Sequence, residues 1–273
     1  MKTLSYFDKN GRRIPSHGMR VFGETQSQYY KLEQPELNLE SIFNRSRQQN
    51  LFAHEIDIFE FDKKISNIIL KISNDVNYAN LLNGVYIPFI YKRELKGADL
   101  GAELVDILLP KLQKSFINKF PESHFKAIIQ SQKKLENNIK LDKNSRYQNF
   151  VSLSEVKPVI GLYFPQALQE FDVESQRNQM TSLPELTDLN ICLSGGMDVC
   201  AALIGTPDLL ISENFYTPIP ILSSYVHEDK RLVLMIKAYG PHLEFWCLSQ
   251  MLTKEVTQVS EQWTGGLTIY QEA

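Results

Sequence analysis

Cysteine and tryptophan are scarce in this sequence, with three and two copies respectively among 273 residues. A small, odd number of cysteines excludes the disulfide framework on which small secreted domains depend. Cys192 lies in a predicted strand, Cys200 in a predicted helix, and Cys247 next to Trp246. We therefore expect three free, buried thiols, since cysteine in such surroundings packs as a small hydrophobic side chain.

Long hydrophobic runs are missing as well. The longest, such as LVLMI at 232–236, are far shorter than the roughly 20 apolar residues that a membrane-spanning helix needs. The opening segment MKTLSYFDKNGRRIP has no apolar core after its lysine, unlike a secretory signal peptide. These absences predict a cytoplasmic protein that does not insert into a membrane.

Strong charge of either sign is also absent. The formal net charge is −3 and the isoelectric point is about 6.0. Basic groups at Arg12–Arg13, 91–96 and Lys133–Lys134 are each diluted by acidic or apolar neighbours. Nucleic-acid binding depends on many phosphate contacts from a concentrated basic surface, so we expect no nucleic-acid partner. The 43% hydrophobic and 22% charged residues are typical of a globular chain with a full core.

No complete catalytic or metal-binding motif is present. The histidines are His17, His54, His124, His227 and His242. None has the spacing to cysteine or to another histidine that zinc sites use, and no Gly-x-Ser-x-Gly nucleophile motif occurs. Asp198 lies two residues before Cys200, and a nearby carboxylate disfavours the reactive thiolate form. We accordingly predict no catalytic residue and no metal, and a cofactor only under the alternative considered below.

Helical spacing of apolar residues is clearest in the first half of the chain. It predicts helices over 39–49, over 65–72, over 98–120 with a kink or break at Pro110, and over 122–140. The last two would form a helical hairpin. The first 35 residues are rich in turn-forming and polar types, which indicates an irregular arm that must dock on a surface to become ordered.

Strand patterns dominate the second half. Strands are predicted in the first half over 54–61 and over 84–92, the latter at a sheet edge because of Pro88, and in the second half over 158–164 and over 189–193. Hairpins are predicted from 218–226 with 231–239, and from the final segment about Gly265–Gly266, while 242–252 suits either a strand or a helix. The order predicts an α+β fold with a helical region in the N-terminal half and mostly antiparallel sheet in the C-terminal half.

The domain boundary is predicted within 133–148, where apolar content falls. It separates a helix-rich half, 1–145, from a mixed, strand-rich half, 146–273. A single continuous domain is the alternative, because the same polar stretch also suits the end of a helix followed by a loop.

The segment LNICLSGGMD, 189–198, reads as a strand that runs into a paired-glycine turn and an acidic residue. Its SGGMD resembles the signature of the PP-loop ATP pyrophosphatases, Ser-Gly-Gly-any-Asp-Ser. The resemblance implies ATP-dependent adenylation, with Ser194, Gly195 and Gly196 on the pyrophosphate and Asp198 near magnesium. Glycine suits that task because the backbone must approach the phosphates and expose its N–H groups.

The same segment departs from the signature in three ways. Val199 stands where the family has a second serine, the following helix is limited to about two turns by Gly205 and Pro207, and the remaining chain reads as hairpins. The alternative interpretation is a strand-to-helix turn in which Ser194 or Asp198 caps a short helix. We favour the turn.

Function therefore has three candidate classes. In its Asn-, Lys- and Ile-rich composition and its lack of catalytic signatures, the whole chain resembles accessory proteins of Legionella-type bacteria, including soluble subunits around the coupling ATPase of the Dot/Icm type IV secretion system. The resemblance implies a non-catalytic adaptor with other protein subunits as partners, in a homo- or hetero-oligomer. The alternatives are a PP-loop-like enzyme and a secreted bacterial effector. The final strand is a candidate edge for pairing with a partner.

Overall fold

A computed structural model of the chain describes residues 5–16, 29–53, 56–129, 135–240, 242–249 and 261–273. Helices and strands both contribute, with helices mostly N-terminal and strands mostly C-terminal, which confirms the α+β class. The helices are α1 (Leu39–Gln48), α2 (Ile58–Asn74), α3 (Leu100–Glu103), α4 (Leu109–Lys119), α5 (Tyr147–Val156), α6 (Val173–Ser182) and α7 (Gly196–Gly205). A 3-10 turn spans Ala79–Asn83 and a π-helical segment spans Leu104–Leu108.

The strands are β1 (Ile87–Tyr91), β2 (Phe125–Ile129), β3 (Ile139–Leu141), β4 (Val159–Phe164), β5 (Asn190–Leu193), β6 (Ile219–Ile221), β7 (Tyr225–His227), β8 (Leu232–Tyr239), β9 (His242–Ser249), β10 (Trp263–Gly265) and β11 (Leu267–Glu272). They form a central sheet in the order β1-β4-β11-β5, an outer sheet in the order β10-β6-β8-β9-β2, and a small sheet of β3 and β7.

Helix α2 begins where a strand was predicted. The Asp57 side chain accepts a hydrogen bond from the Glu60 N–H at 2.8 Å and so caps the helix. Phe61 lies four residues before Ile65 and extends the buried stripe of the helix by one turn. The prediction of a strand over 54–61 is therefore wrong for Ile58–Phe61, while 54–55 lie outside the described residues.

Pro110 follows a local change in helix geometry, as predicted. A proline inside a helix cannot donate its backbone hydrogen bond, and its ring clashes with the carbonyl four residues earlier. Here α3 passes into the π-helical segment Leu104–Leu108, and Pro110 stands at the start of α4. The wider π turn separates two regular helical segments at the position where the proline would otherwise be strained.

The central sheet is antiparallel throughout and is covered on both faces. Every residue of β1 and β4 is buried, and α1, α2, α5 and α7 all pack on this sheet. Strand β1 pairs only with β4 within the described part of the chain, so Pro88 lies at an edge as predicted. The last strand, β11, pairs with β4 on one side and β5 on the other. Its edges are used inside the sheet, so the prediction that it offers an edge to a partner is wrong.

The strands of the outer sheet contradict one prediction and decide an ambiguous one. Phe125–Ile129 was expected to be helical, yet as β2 it pairs in parallel with β9. That pairing overrides the helical spacing of the apolar residues, and the predicted helical hairpin is therefore wrong. The ambiguous segment after 241 is a strand, β9, which pairs antiparallel with β8. The predicted hairpin of 218–226 with 231–239 is present as β6 paired with β8, although β7 pairs with β3 instead.

Gly265–Gly266 is a crossover between sheets rather than a hairpin turn. Strand β10 pairs in parallel with β6 in the outer sheet, whereas β11 lies in the central sheet. Neither glycine has the positive φ that tight hairpin turns require. A Cβ at Gly266 would stand 2.7 Å from Ser194 Oγ, so this glycine permits a close approach of two chain segments. The predicted final hairpin is wrong for this reason.

Each sheet joins strands from both sides of residue 145. Strand β1 pairs with β4, β2 with β9, and β3 with β7. One cluster of buried apolar side chains extends from Phe7 to Tyr270. The described part of the N-terminal arm docks on this same chain, because the Arg13 N–H donates to Ala167 O at 2.8 Å. Arg12 also forms a buried ion pair with Glu170, with 3.4 Å between Nη1 and Oε1.

The three cysteines are free and buried, as expected from their sequence positions. Burial raises the pKa of the Cys247 thiol to about 11 and also raises the pKa values of Cys192 and Cys200. No helix among the described residues is long and apolar enough to cross a membrane.

Candidate functional site

The paired-glycine turn joins β5 to α7 in the middle of the fold. Strand β5 ends at Leu193, and α7 starts at Gly196 and ends at Gly205, at the position predicted from the sequence. All ten residues of α7 are buried. The turn is therefore held from all sides by protein, and the side chains around it determine what it can do.

Asp198 is the centre of a closed hydrogen-bond cluster. Its Oδ1 accepts from the Gly195 N–H at 2.9 Å and from the Tyr147 hydroxyl at 2.7 Å, and its Oδ2 accepts from the Thr268 hydroxyl. Its exposed fraction is 0%. Three donors from three parts of the chain thus meet on one carboxyl group. The arrangement fastens the start of α7 to α5 and to β11.

The backbone donors of the turn are also used inside the protein. The Ser194 N–H donates to Gly266 O at 2.9 Å, and the Met197 N–H donates to the Tyr147 hydroxyl at 3.1 Å. The Ser194 hydroxyl lies 3.0 Å from the Thr268 hydroxyl. These N–H groups are the ones that a phosphate-binding turn would point at its ligand.

Two tyrosine rings cover the glycines. A Cβ at Gly195 would lie 2.6 Å from Cζ of Tyr147, and one at Gly196 would lie 2.7 Å from Cε2 of Tyr225. The rings meet edge to face, with their centroids 5.7 Å apart. The φ angle of Gly195 is −130°, which other residues also adopt. Glycine is therefore needed here because aromatic rings lie directly on the backbone.

Burial dominates the electrostatics of this cluster. It raises the pKa of Asp198, although the hydrogen bonds from Thr268, Tyr147 and Gly195 oppose that rise. Burial and the neighbouring Asp198 carboxyl group raise the pKa of the Tyr147 hydroxyl. Burial therefore opposes the ionisation of both groups, whereas the donors around Asp198 favour its carboxylate form. Phosphates or magnesium could reach Asp198 only after the tyrosine rings had moved.

The strand pairing of β5 differs from the pairing expected beside a phosphate-binding loop of the PP-loop kind. Within the described residues β5 pairs with β11 alone, and the pairing is antiparallel. Ser194, Gly195, Gly196 and Asp198 are adjacent and all buried. A ligand-binding loop in an open α/β sheet lies instead at the carboxyl ends of parallel strands.

Metal-ligating residues do not converge in the described part of the chain. No group of three or more His, Cys, Asp or Glu side chains there is placed to hold a metal ion. In the turn after β7, His227 Nδ1 accepts from the Asp229 N–H at 2.9 Å. The Arg231 guanidinium binds both carboxylate oxygens of Asp229 and lowers the pKa of that carboxyl group to about 2.

A second site lies at the surface, in the loop 210–217 before β6. It is a groove of about 490 Å3 between this loop, Tyr29 and the end of β8. Tyr29 and Tyr216 line it and are 67% and 72% exposed. Ala238 and Gly240 line it at the end of β8. We call this surface the tyrosine groove.

The residues that shape both sites were not found from the sequence. Tyr147, Tyr225 and Thr268 surround Asp198, yet they are far from the motif in the chain. Tyr29 and Tyr216 are brought to one surface by the bridge Tyr30↔Tyr216 and by the hydrogen bond from the Lys31 N–H to Tyr216 O. No spacing in the sequence could have linked these pairs, because each contact depends on the sheet order.

Comparisons with protein-family models, with curated proteins and with solved structures found no match to this chain.

Proposed function

We propose that this chain is a non-catalytic interaction subunit, which works in the cytoplasm by binding other protein subunits. The observation that carries the proposal is the tyrosine groove, where the exposed side chains of Tyr29 and Tyr216 lie on one surface. Scattered exposed apolar side chains are normal on a monomer, but aromatic side chains concentrated at one place are typical of an interface.

The cluster around Asp198 supports the same proposal from the inside of the protein. Its donors and its carboxyl group are bonded to one another, and two rings fill the space above the glycines. Such a cluster specifies one arrangement of α5, α7 and β11. It suits a scaffold that presents a surface, and this scaffold would join a homo- or hetero-oligomer.

The assembly that we propose is bacterial. The Asn-, Lys- and Ile-rich composition favours the coupling complex of a type IV secretion system of the Dot/Icm kind. A formal net charge of −3, together with basic residues that are dispersed along the sequence, fits protein partners better than nucleic acid.

The proposal predicts that the protein leaves its native cell as part of a complex. After gentle lysis of the producing bacterium, size-exclusion chromatography should place it well above its own mass of 31.5 kDa. Mass spectrometry of those fractions, after chemical crosslinking, should give the same partner peptides in repeated preparations. Elution as a lone monomer without crosslinked partners would contradict the proposal. A complex that lacks secretion components would exclude the secretion system as the assembly, while the proposed adaptor role would stand.

A further inference from the structure

We infer that the stacked side chains of His124 and His242 form an acid-sensitive clamp. The clamp holds the edge strand β2 on β9 at neutral pH and loosens it when both imidazole rings carry a proton. The inference is independent of the proposed function. It is carried by the stacking of the two rings, by their place at the start of the β2–β9 ladder, and by the burial of one ring nitrogen.

The two rings stack face to face. Their centroids lie 4.9 Å apart and their planes differ by 8°. His242 is the first residue of β9, and His124 directly precedes β2. The Leu243 N–H donates to His124 O at 2.9 Å, so the ring pair stands at the point where the pairing of the two strands begins.

Strand β2 depends on this pairing because it lies at the edge of the outer sheet. Within the described residues it pairs with β9 alone, in parallel. An edge strand has a neighbour on one side only, so it opens more readily than a strand that is paired on both sides. A small change in the free energy of its attachment therefore changes its opening measurably.

Protonation acts against the stack. Histidine is the side chain whose charge changes between about pH 5 and 8. One protonated ring can rest on the face of a neutral ring, as cations do on aromatic faces. A second proton would place two positive charges 4.9 Å apart, and their repulsion is relieved when β2 moves away from β9.

The surroundings of His242 Nδ1 act in the same direction. This atom is buried, and no described residue forms a hydrogen bond with it. A protonated imidazole has a donor on both of its nitrogens. In the stacked arrangement the charged ring would bury a donor without an acceptor, whereas loosening of β2 uncovers the ring and lets water accept from it.

Fixed charges beside the pair do not compensate for two imidazolium groups, because lysines and glutamates are present in balance. The charged and titratable side chains there, among the described residues, are Lys126 on β2, Glu244 on β9, Lys237 and Tyr239 on β8, Glu122 in the turn before β2, and Lys119 on α4, which Asp208 binds at 2.8 Å. Lysine, glutamate and tyrosine titrate outside the range from about pH 5.5 to 8, so the two histidines are the groups that change charge.

The experiment measures hydrogen–deuterium exchange of the full-length protein at about pH 5.5 and about pH 8, in a buffer of low ionic strength. Each rate is divided by the intrinsic rate of an unfolded peptide at the same pH. We expect the open fraction of β2 to be at least about fourfold larger at the lower pH, the factor that two unit charges at this separation give in water. Strand β4, which is paired on both sides, should not show this rise.

Two variants identify the histidine pair as the cause. His124→Phe keeps a ring against His242 but cannot gain a charge, and the position is exposed, so β2 should open equally at both pH values. Lys126→Gln is the matched control, because it removes a neighbouring charge of β2 that does not titrate in this range, and it should retain the rise. Equal opening of wild-type β2 at both pH values, a rise that persists in His124→Phe or disappears in Lys126→Gln, or the same rise in β4 would overturn the inference.

Discussion

Replacing Asp198 by alanine is expected to lower the free energy of unfolding by about 4 kcal/mol. The substitution leaves the Tyr147 hydroxyl and the Gly195 N–H without their acceptor in a buried place, while the Thr268 hydroxyl keeps only Ser194 as a partner. Each buried donor without a partner costs about 1–3 kcal/mol. Urea denaturation followed by circular dichroism measures the change.

Two further variants separate the causes of this loss. Asp106→Ala removes an exposed carboxylate and should change the free energy of unfolding by less than about 0.5 kcal/mol. Asp198→Asn keeps one acceptor oxygen of the same shape, so it should lose about half as much as Asp198→Ala. If Asp198→Ala unfolded within about 1 kcal/mol of the wild type, the cluster would not hold the start of α7.

The Asp198 cluster also gives stability a defined pH dependence. Because burial raises the pKa of Asp198 in the folded state, the folded protein binds this proton more tightly than the unfolded chain does. The contribution of Asp198 is greatest below its ordinary pKa of 3.8, and it declines as pH rises through the folded pKa. Asp198→Asn should lack this decline. Urea denaturation of the wild type and of this variant over a range of pH therefore isolates the contribution of Asp198 to the free energy of unfolding.

Replacing Gly196 by alanine is expected to destabilise the fold by about 2 kcal/mol, although alanine is the better helix former. The new Cβ would stand 2.7 Å from Cε2 of Tyr225, whose ring is buried. In an open phosphate-binding turn the same substitution would leave stability unchanged or raise it, because glycine carries the larger backbone entropy. The sign of the change therefore distinguishes the two arrangements.

A double-mutant cycle tests the proposed clash directly. Tyr225→Leu removes the ring atoms that the Cβ would meet, so Gly196→Ala should cost at least about 1 kcal/mol less in that background. Unfolding curves of the wild type, both single variants and the double variant supply the coupling energy. Additive effects would show that the ring of Tyr225 does not explain the glycine.

The sequence was most informative where one helix or strand is determined by its own residues. The stripe of Ile65, Ile68 and Ile72 identified α2, and Pro88 identified an edge strand, because each signal is local. The end of α7 at Gly205 was likewise predictable.

Pairing between strands that are distant in sequence explains the predictions that were wrong. Phe125–Ile129 carries helical spacing, but its ladder with β9 decides its conformation. Gly265–Gly266 resembles a hairpin turn, yet the two strands beside it pair in different sheets. The motif SGGMD shows the same limit at the candidate site. Its residues were correctly placed between a strand and a short helix, while the rings of Tyr147 and Tyr225 that cover it come from other parts of the fold.

Hydrogen–deuterium exchange at the turn tests the central claim most directly, namely that this motif is a closed structural cluster and that recognition occurs at the surface. The amides of Gly195 and Met197 should exchange only through global unfolding, because both are buried and hydrogen-bonded inside the protein. Magnesium and ATP should leave their rates unchanged. Fast exchange at these amides, or slowing when ATP is added, would contradict the account and restore a nucleotide site at Ser194–Asp198.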